Sequence, residues 1–324
     1  MKLPQIEDIH QAAERIRGEA VVTPLISNSV LDERVGARVL LKAECLQCTG
    51  SFKFRGAYNA LKANRSGIGD GGVVACSSGN HAQGVAEAAR LLGMKATIVM
   101  PSDAPDIKKM RTKRSGADIV EYDRANEDRE AIAGALARET GAVFIHPYDN
   151  FHVIAGQGTC GLEAAQQCIE RDIVPDRLLV CTGGGGLLAG MRLAVADAFP
   201  SVSVHTVEPE GYDDQARSHA IGQRVGDNAG GETVCDAIAT PSPGELSFAM
   251  CNGRLAEGLV VSDEEALEAV AFAFNELKLV VEPGGAVTLA ALLSGKLDVS
   301  GQTVVATLSG GNADPTIVAR ALKA

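Results

Sequence analysis

Short aliphatic and β-branched runs alternate with longer amphipathic stretches over most of this chain. Residues 39–42, 73–76, 97–100, 119–121, 143–145, 178–181, 202–207 and 304–308 are rich in Val, Ile and Leu, as strands covered on both faces are. Residues 82–92, 105–114, 128–139, 154–169, 187–199 and 264–275 instead space their apolar positions at helical period. This alternation predicts an α/β protein with parallel sheets and right-handed crossovers. No repeat and no low-complexity linker divides the chain. The Gly- and Pro-containing stretches 211–233 and 239–245 read as loops over the sheet edge.

The 324 residues exceed the usual size of a single core, which predicts two domains or one large α/β unit, and a 46% hydrophobic content supplies a full core. With 30 basic against 41 acidic residues the net charge is −11, and no basic cluster is dense enough to neutralise a run of phosphates, so nucleic-acid binding is not expected. The first residues carry no apolar signal core and no run approaches a membrane span, which predicts a soluble cytoplasmic protein. The eight cysteines are scattered, several inside apolar runs, as reduced core cysteines are placed. Cys45 and Cys48 form a lone C-x-x-C with no second pair or nearby histidine and read as structural.

Chemistry concentrates in a few segments. Thr49-Gly50-Ser51-Phe52-Lys53-Phe54-Arg55-Gly56-Ala57 sets one lysine after a tight turn and between aromatics at a strand-to-helix junction. A partly desolvated amine has a lowered pKa and can form a Schiff base with a carbonyl cofactor; the alternative is a lysine snorkelling from an ordinary helix. Thr182-Gly183-Gly184-Gly185-Gly186-Leu187 joins a strand to a helix, so that backbone N–H groups converge on a point suited to phosphate. The same run contains G-x-G-x-x-A with Glu208 ending the next strand, so an NAD-dependent dehydrogenase competes on this segment. That reading leaves Lys53 unexplained.

Cys76-Ser77-Ser78-Gly79-Asn80-His81 also joins strand to helix, with more polar side chains than capping requires. Thr307-Leu308-Ser309-Gly310-Gly311-Asn312 would bring Ser309 to the carboxyl edge of a sheet, where open α/β folds bind ligands. Glu208-Pro209-Glu210-Gly211-Tyr212-Asp213-Asp214 offers oxygen ligands for a hard cation, or is a solvated acidic loop. Of the six histidines, His81 and His152 stand where a ligand contact is expected.

In order and spacing these motifs resemble the tryptophan-synthase-β-like, fold type II pyridoxal-phosphate enzymes over nearly the whole chain. Within that group the chain is similar to the serine/threonine dehydratases, serine racemases and 3-hydroxyaspartate dehydratases. The resemblance implies two open parallel-sheet domains with the cofactor in the cleft between them: residues 1–71 with 150–324 as the large domain and 72–149 as the small one. It implies that Lys53 carries pyridoxal 5'-phosphate, Phe52 packs on its ring, and Gly183, Gly184, Gly185, Gly186 and Leu187 bind its phosphate. Asn80 would meet the ring hydroxyl and Ser309 the pyridine nitrogen. A neutral hydroxyl there makes the ring a weaker electron sink than a carboxylate would, which favours elimination over transamination. Ser77, Ser78, Asn80 and His81 would hold the substrate carboxylate. Ser78, opposite Lys53, would also exchange a proton with Cα, which keeps a serine or aspartate racemase as the alternative activity.

The resemblance further implies a Mg²⁺, Ca²⁺ or Mn²⁺ site at Glu208, Tyr212 and Asp214, and a homodimer acting on a small amino acid. Arg129 and His152 would serve a second substrate carboxylate, so 3-hydroxyaspartate leads over serine and threonine; a solvated Arg129 paired with Asp128 or Glu130 is the opposing reading. Two positions depart from the family pattern: Asp236-Ala237 replaces Asp-Gly, and Phe151-His152 replaces a proline-containing pair. The chain stops soon after Asn312, so a C-terminal regulatory extension is not expected.

Overall fold

The computed structural model describes residues 1–77, 79–104 and 106–323. Ser78, read as the proton-exchanging hydroxyl, and Pro105, read as a helix start, lie outside the described residues. In chain order the first elements are α1 (Ile6–Ile16), β1 (Leu25–Ile26), α2 (Ser29–Val35), β2 (Arg38–Ala43) and α3 (Lys53–Ala63). Then come β3 (Val73–Cys76), α4 (Asn80–Leu92), β4 (Ala96–Pro101), α5 (Asp106–Arg114), β5 (Asp118–Tyr122), α6 (Arg129–Thr140) and β6 (Val143–Phe144). The remainder runs α7 (Phe151–Ile169), β7 (Arg177–Cys181), α8 (Gly186–Ala198), β8 (Ser203–Pro209), α9 (Asp214–Ile221), α10 (Glu245–Cys251) and β9 (Leu259–Val261). It ends with α11 (Asp263–Phe272), α12 (Pro283–Leu293), β10 (Thr303–Leu308) and α13 (Pro315–Ala321).

The strands form two sheets, one ordered β1-β2-β10-β7-β8-β9 and the other β5-β4-β3-β6. Every pairing is parallel except β1 with β2. All strands of the second sheet lie within residues 73–144, with chain on both sides contributing to the first. Each sheet is covered on both faces. One face of the large sheet packs on α11 and α12, the other on α7, α8 and α10; the small sheet packs on α3 and α4 on one side and α6 on the other. By packing, α3 belongs to the small sheet's core, since Phe54, Ala57 and Leu61 join Val73, Ala75 and Ile98 there.

Each sheet has a point where strand order reverses. In the large sheet β10 returns between β2 and β7 while the chain leaves β7 towards β8; in the small sheet β3 lies between β4 and β6. Loops at the carboxyl ends of such neighbours diverge and leave a crevice. The Ser77, glycine-run and Ser309 motifs follow β3, β7 and β10. The stretch 211–233, read as a loop, contains the helix α9. Its polar sequence shows no apolar stripe, and it forms because buried Glu208 accepts the N–H groups of Gln215 and Ala216, each at 2.8 Å.

Candidate active site

Lys53 opens α3, and the helix is held against α7 by a close crossing. A Cβ at Gly56 would lie 2.8 Å from the Val153 carbonyl and one at Gly156 2.6 Å from that of Arg55, so only glycine permits this approach. The lysine therefore emerges at a fixed height between the sheets. Its Nζ donates to the Pro147 carbonyl at 3.0 Å and stands 5.1 Å from the centre of the Phe52 ring. Burial pushes its pKa down to about 8, with the charge of Glu282 opposing.

Across the cleft the glycine run is hemmed in by side chains. Gly185, at φ +88°, turns the chain into α8, while a Cβ at Gly184 would strike the Tyr148 ring at 2.2 Å. Gln215 donates to the Gly183 carbonyl and Ser247 to that of Gly184, both at 2.8 Å, so the carbonyls are tied back. Gln157, beside Gly186, is fully buried with neither side-chain polar atom bonded. A buried amide without partners costs free energy unless a ligand engages it. Leu187 also lines this cup.

At the end of β3, Ser77 Oγ accepts the Gly79 N–H at 3.1 Å, and Asn80 begins α4. Asn80 Nδ2 donates to Glu282 Oε1 at 2.7 Å, while its Oδ1 accepts from Asn312 Nδ2 at 2.7 Å. Both ends of this amide are thus fixed, which leaves it one free N–H. Burial pushes the Glu282 carboxyl up to about 7, and the Asn80 bond opposes that shift. His81 is buried, its Nε2 lies 2.9 Å from the Ile145 carbonyl, and burial followed by the charge of Lys53 lowers its pKa to about 3. Because a carbonyl only accepts, Nε2 carries the proton and Nδ1 offers a lone pair. The His81 ring therefore has no N–H to offer a carboxylate, and only its main-chain N–H, in the first turn of α4, can donate to one. Ser309 is buried with its backbone engaged: its carbonyl accepts from Phe52 N at 3.2 Å and its N–H donates to Gly285 O at 3.1 Å.

Around Lys53 lie two adjoining cavities of about 120 and 30 Å³ that share Lys53, Tyr148, Ala237 and Thr240, and Ser309 lines neither. Ser77, Asn80, His81 and Arg129 line the larger; Phe52, the four glycines and Leu187 line the smaller. Arg129 has no salt-bridge partner among the described residues. Asp128 instead caps α6, and Glu130 Oε1 is directed towards His146 Nε2 at 3.9 Å. His152 does not line either cavity. It sits at the start of α7 against Phe151, where its carbonyl accepts from Asn59, so its assignment to a substrate carboxylate is corrected. Glu282, Tyr148, Gln157 and Lys108 complete the walls and were not singled out from the sequence. Only Glu282 had a local signal there, as an acid before a proline at a helix start.

Glu208 is fully buried, and burial together with the charge of Asp214 pushes its pKa up. Both of its oxygens accept N–H groups of α9 and it lines neither cavity, so no acid stands at the glycine cup where the dinucleotide reading requires one. Asp214 is raised to about 6, chiefly by burial, and its Oδ2 is without a partner. The Tyr212 hydroxyl donates to Gly231 O, leaving only its main-chain carbonyl to offer. Among the described residues no three His, Cys, Asp or Glu side chains cluster as metal ligands.

Comparison with known proteins agrees with this geometry. Residues 16–310 match the family model described as pyridoxal-phosphate dependent enzyme. The chain is 44% identical to an L-threo-3-hydroxyaspartate ammonia-lyase of a Pseudomonas species, over 100% of both chains. It is 39% identical to a serine racemase of Schizosaccharomyces pombe, over 96% of this chain and 95% of that one. Among solved structures, a threonine deaminase from T.th. superposes with a TM-score of 0.90 at 44% identity, covering 96% of this chain and 99% of that one. A maize serine racemase does so at 0.92 and 35%, covering 99% and 98%. With Lys53 and the glycine cup facing each other between two parallel sheets, the chain belongs to the fold type II pyridoxal-phosphate-dependent enzymes.

Proposed function

We propose that the chain is a hydroxy-amino-acid ammonia-lyase that eliminates water from 3-hydroxyaspartate, leaving an imino acid that water hydrolyses to a 2-keto acid and ammonia. The observation that carries this reading is Arg129: a guanidinium in the cavity wall with no acid paired to it among the described residues suits a substrate with a second carboxylate. The 44% identity to an L-threo-3-hydroxyaspartate ammonia-lyase over the full chain supports it.

The residues present fit pyridoxal phosphate. Lys53 offers a partly neutral amine, the glycine cup offers N–H groups at the start of α8, and the buried Gln157 amide lacks a partner. When bound, the cofactor supplies the electron sink that makes the substrate Cα proton removable. We assign Phe52 to its ring face, the free N–H of Asn80 to its hydroxyl and Ser309 to its nitrogen. Lys53, desolvated at the junction of the two cavities, is placed to take the Cα proton. Ser77 and the N–H groups opening α4 hold the α-carboxylate. Tyr148 and Phe52 exclude water from the reacting side.

The proposal includes a divalent cation, Mg²⁺ or Ca²⁺, at Glu208, Asp214 and the Tyr212 carbonyl. Two buried acids, with Glu208 raised by burial and by the charge of Asp214, and an unpartnered Asp214 Oδ2 support it. It also includes a homodimer in the cytoplasm, in keeping with eight free thiols. Residues 72–149 would act as the small substrate-side domain, a division supported by confinement of the second sheet to residues 73–144.

The test is keto-acid and ammonia release from L-serine, L-threonine and the 3-hydroxyaspartate isomers, each with Mg²⁺ and with chelator. Preference for one 3-hydroxyaspartate isomer, weakened by chelation, is the expected result. Better turnover of serine or threonine overturns the substrate, and racemisation without release overturns the reaction.

A further inference from the structure

Helix α5 belongs to the small-sheet side, yet two of its side chains cross to segments that follow the large sheet. Lys108 Nζ bonds Asp236 Oδ2 at 2.9 Å, and one turn later Arg111 donates to Asn312 Oδ1 at 3.2 Å. The second contact joins α5 to the chain of amides that ends on Glu282, so Lys108 is held over the cavity from a fixed helix. Asp236 is different. Its side chain is 65% exposed, it lies on the irregular segment between α9 and α10, and among the described residues its carboxylate has only Lys108 as partner.

An ion pair this exposed contributes little to stability. Its location is more informative, because both partners line the same cavity as Lys53 and Arg129. Lys53 is committed to the cofactor, which leaves Lys108 and Arg129 as the cationic wall. A substrate with one carboxylate would leave the Lys108–Asp236 pair intact. A substrate with two can supply its own acid to Lys108, because Asp236 has room to turn to solvent.

We propose that Lys108 and Asp236 form a specificity-determining pair in which Asp236 stands in for the distal carboxylate of a dicarboxylic substrate, and that Lys108, in the same cavity wall as Arg129, receives that carboxylate once Asp236 is displaced. The inference rests on the reading that the cavity takes a dicarboxylic amino acid, and it adds the residues that discriminate. It predicts opposite effects from the two partners. Removing the cation weakens recognition of the second carboxylate, whereas removing the competing acid strengthens it. A pair that merely latched α5 down would make both substitutions act in the same direction.

The experiment is calorimetric titration of the cofactor-loaded protein with succinate and with butyrate, four-carbon acids that differ in the distal carboxylate and do not react. The ratio of their affinities is compared in the unsubstituted protein, Lys108→Gln, Lys108→Arg and Asp236→Asn, with the visible cofactor band as the check on an intact site. The expected result is a preference for succinate that falls about tenfold in Lys108→Gln, is largely kept in Lys108→Arg and rises severalfold in Asp236→Asn. Absence of the preference in the unsubstituted protein, an unchanged ratio in Lys108→Gln, or a fall in Asp236→Asn each overturns the pair's role. Failure of the ammonia-lyase reading would instead appear in the turnover panel and leave this ratio intact.

Discussion

Two cations two residues apart on α3 have opposite surroundings. Arg55 is fully buried and saturated: it makes paired bonds to Glu44 at 2.8 Å each and to Glu163 at 2.6 and 2.8 Å. Lys42 extends the cluster through Glu163 at 2.8 Å, so α3, α7 and the end of β2 are tied together. Ion pairing holds the Arg55 pKa well above its ordinary value and the Glu44 pKa below its own despite the cost of burial. Lys53 has a carbonyl, an aromatic face and no carboxylate at bonding distance among the described residues, and its pKa falls to about 8. A buried charge whose partners are all supplied is structural; one left under-partnered is poised to react.

The comparison breaks first at Lys53. Lys53→Ala should lower keto-acid formation about a thousandfold or more, while circular dichroism stays that of the parent. Arg55→Ala should act on the other side of the contrast, leaving Glu44 and Glu163 buried without a counter-charge. A loss of roughly 3–5 kcal/mol in denaturant unfolding is expected, and Arg55→Lys should lose less, because it keeps the charge but not the fork. Arg129→Gln should lower kcat/KM for 3-hydroxyaspartate about tenfold more than for serine, a difference of about 1.4 kcal/mol at the transition state.

The smallest effect concerns pH. Glu282 titrates at about 7 in the folded protein, against about 4.3 for an ordinary glutamate. The folded state therefore keeps a proton that the unfolded chain gives up, and this contribution is full below about pH 4.3 and lost as pH rises through 7. Glu282→Gln should flatten that decline in the unfolding free energy of the cofactor-free protein between pH 5 and 7. Lys53 works in another window. Its lowered pKa contributes stability above about pH 10.4 that is lost as pH falls through 8.

How much of this was legible follows from locality. Most strands, the glycine cup and the Ser77 and Ser309 turns were readable because each is one strand followed by one loop, whereas β1 and β9, two and three residues long, are too short to show a period. Glu282, 202 residues from Asn80, and Lys108, 128 residues from Asp236, are made partners only by the topology. Helix α12 was missed because it is buried all round and so lacks an apolar period, and α9 because its start depends on Glu208 rather than on its own sequence. His152 misled because adjacency to an aromatic and a helix start says nothing about which cavity a side chain reaches.

The most direct test of the contrast on α3 is borohydride reduction of the pyridoxal-phosphate-loaded protein followed by peptide mass mapping. The cofactor should be fixed to Lys53 alone, and Lys42, locked in its ion pair, should stay unmodified. Stable attachment at any other lysine, with Lys53 left free, would contradict the contrast.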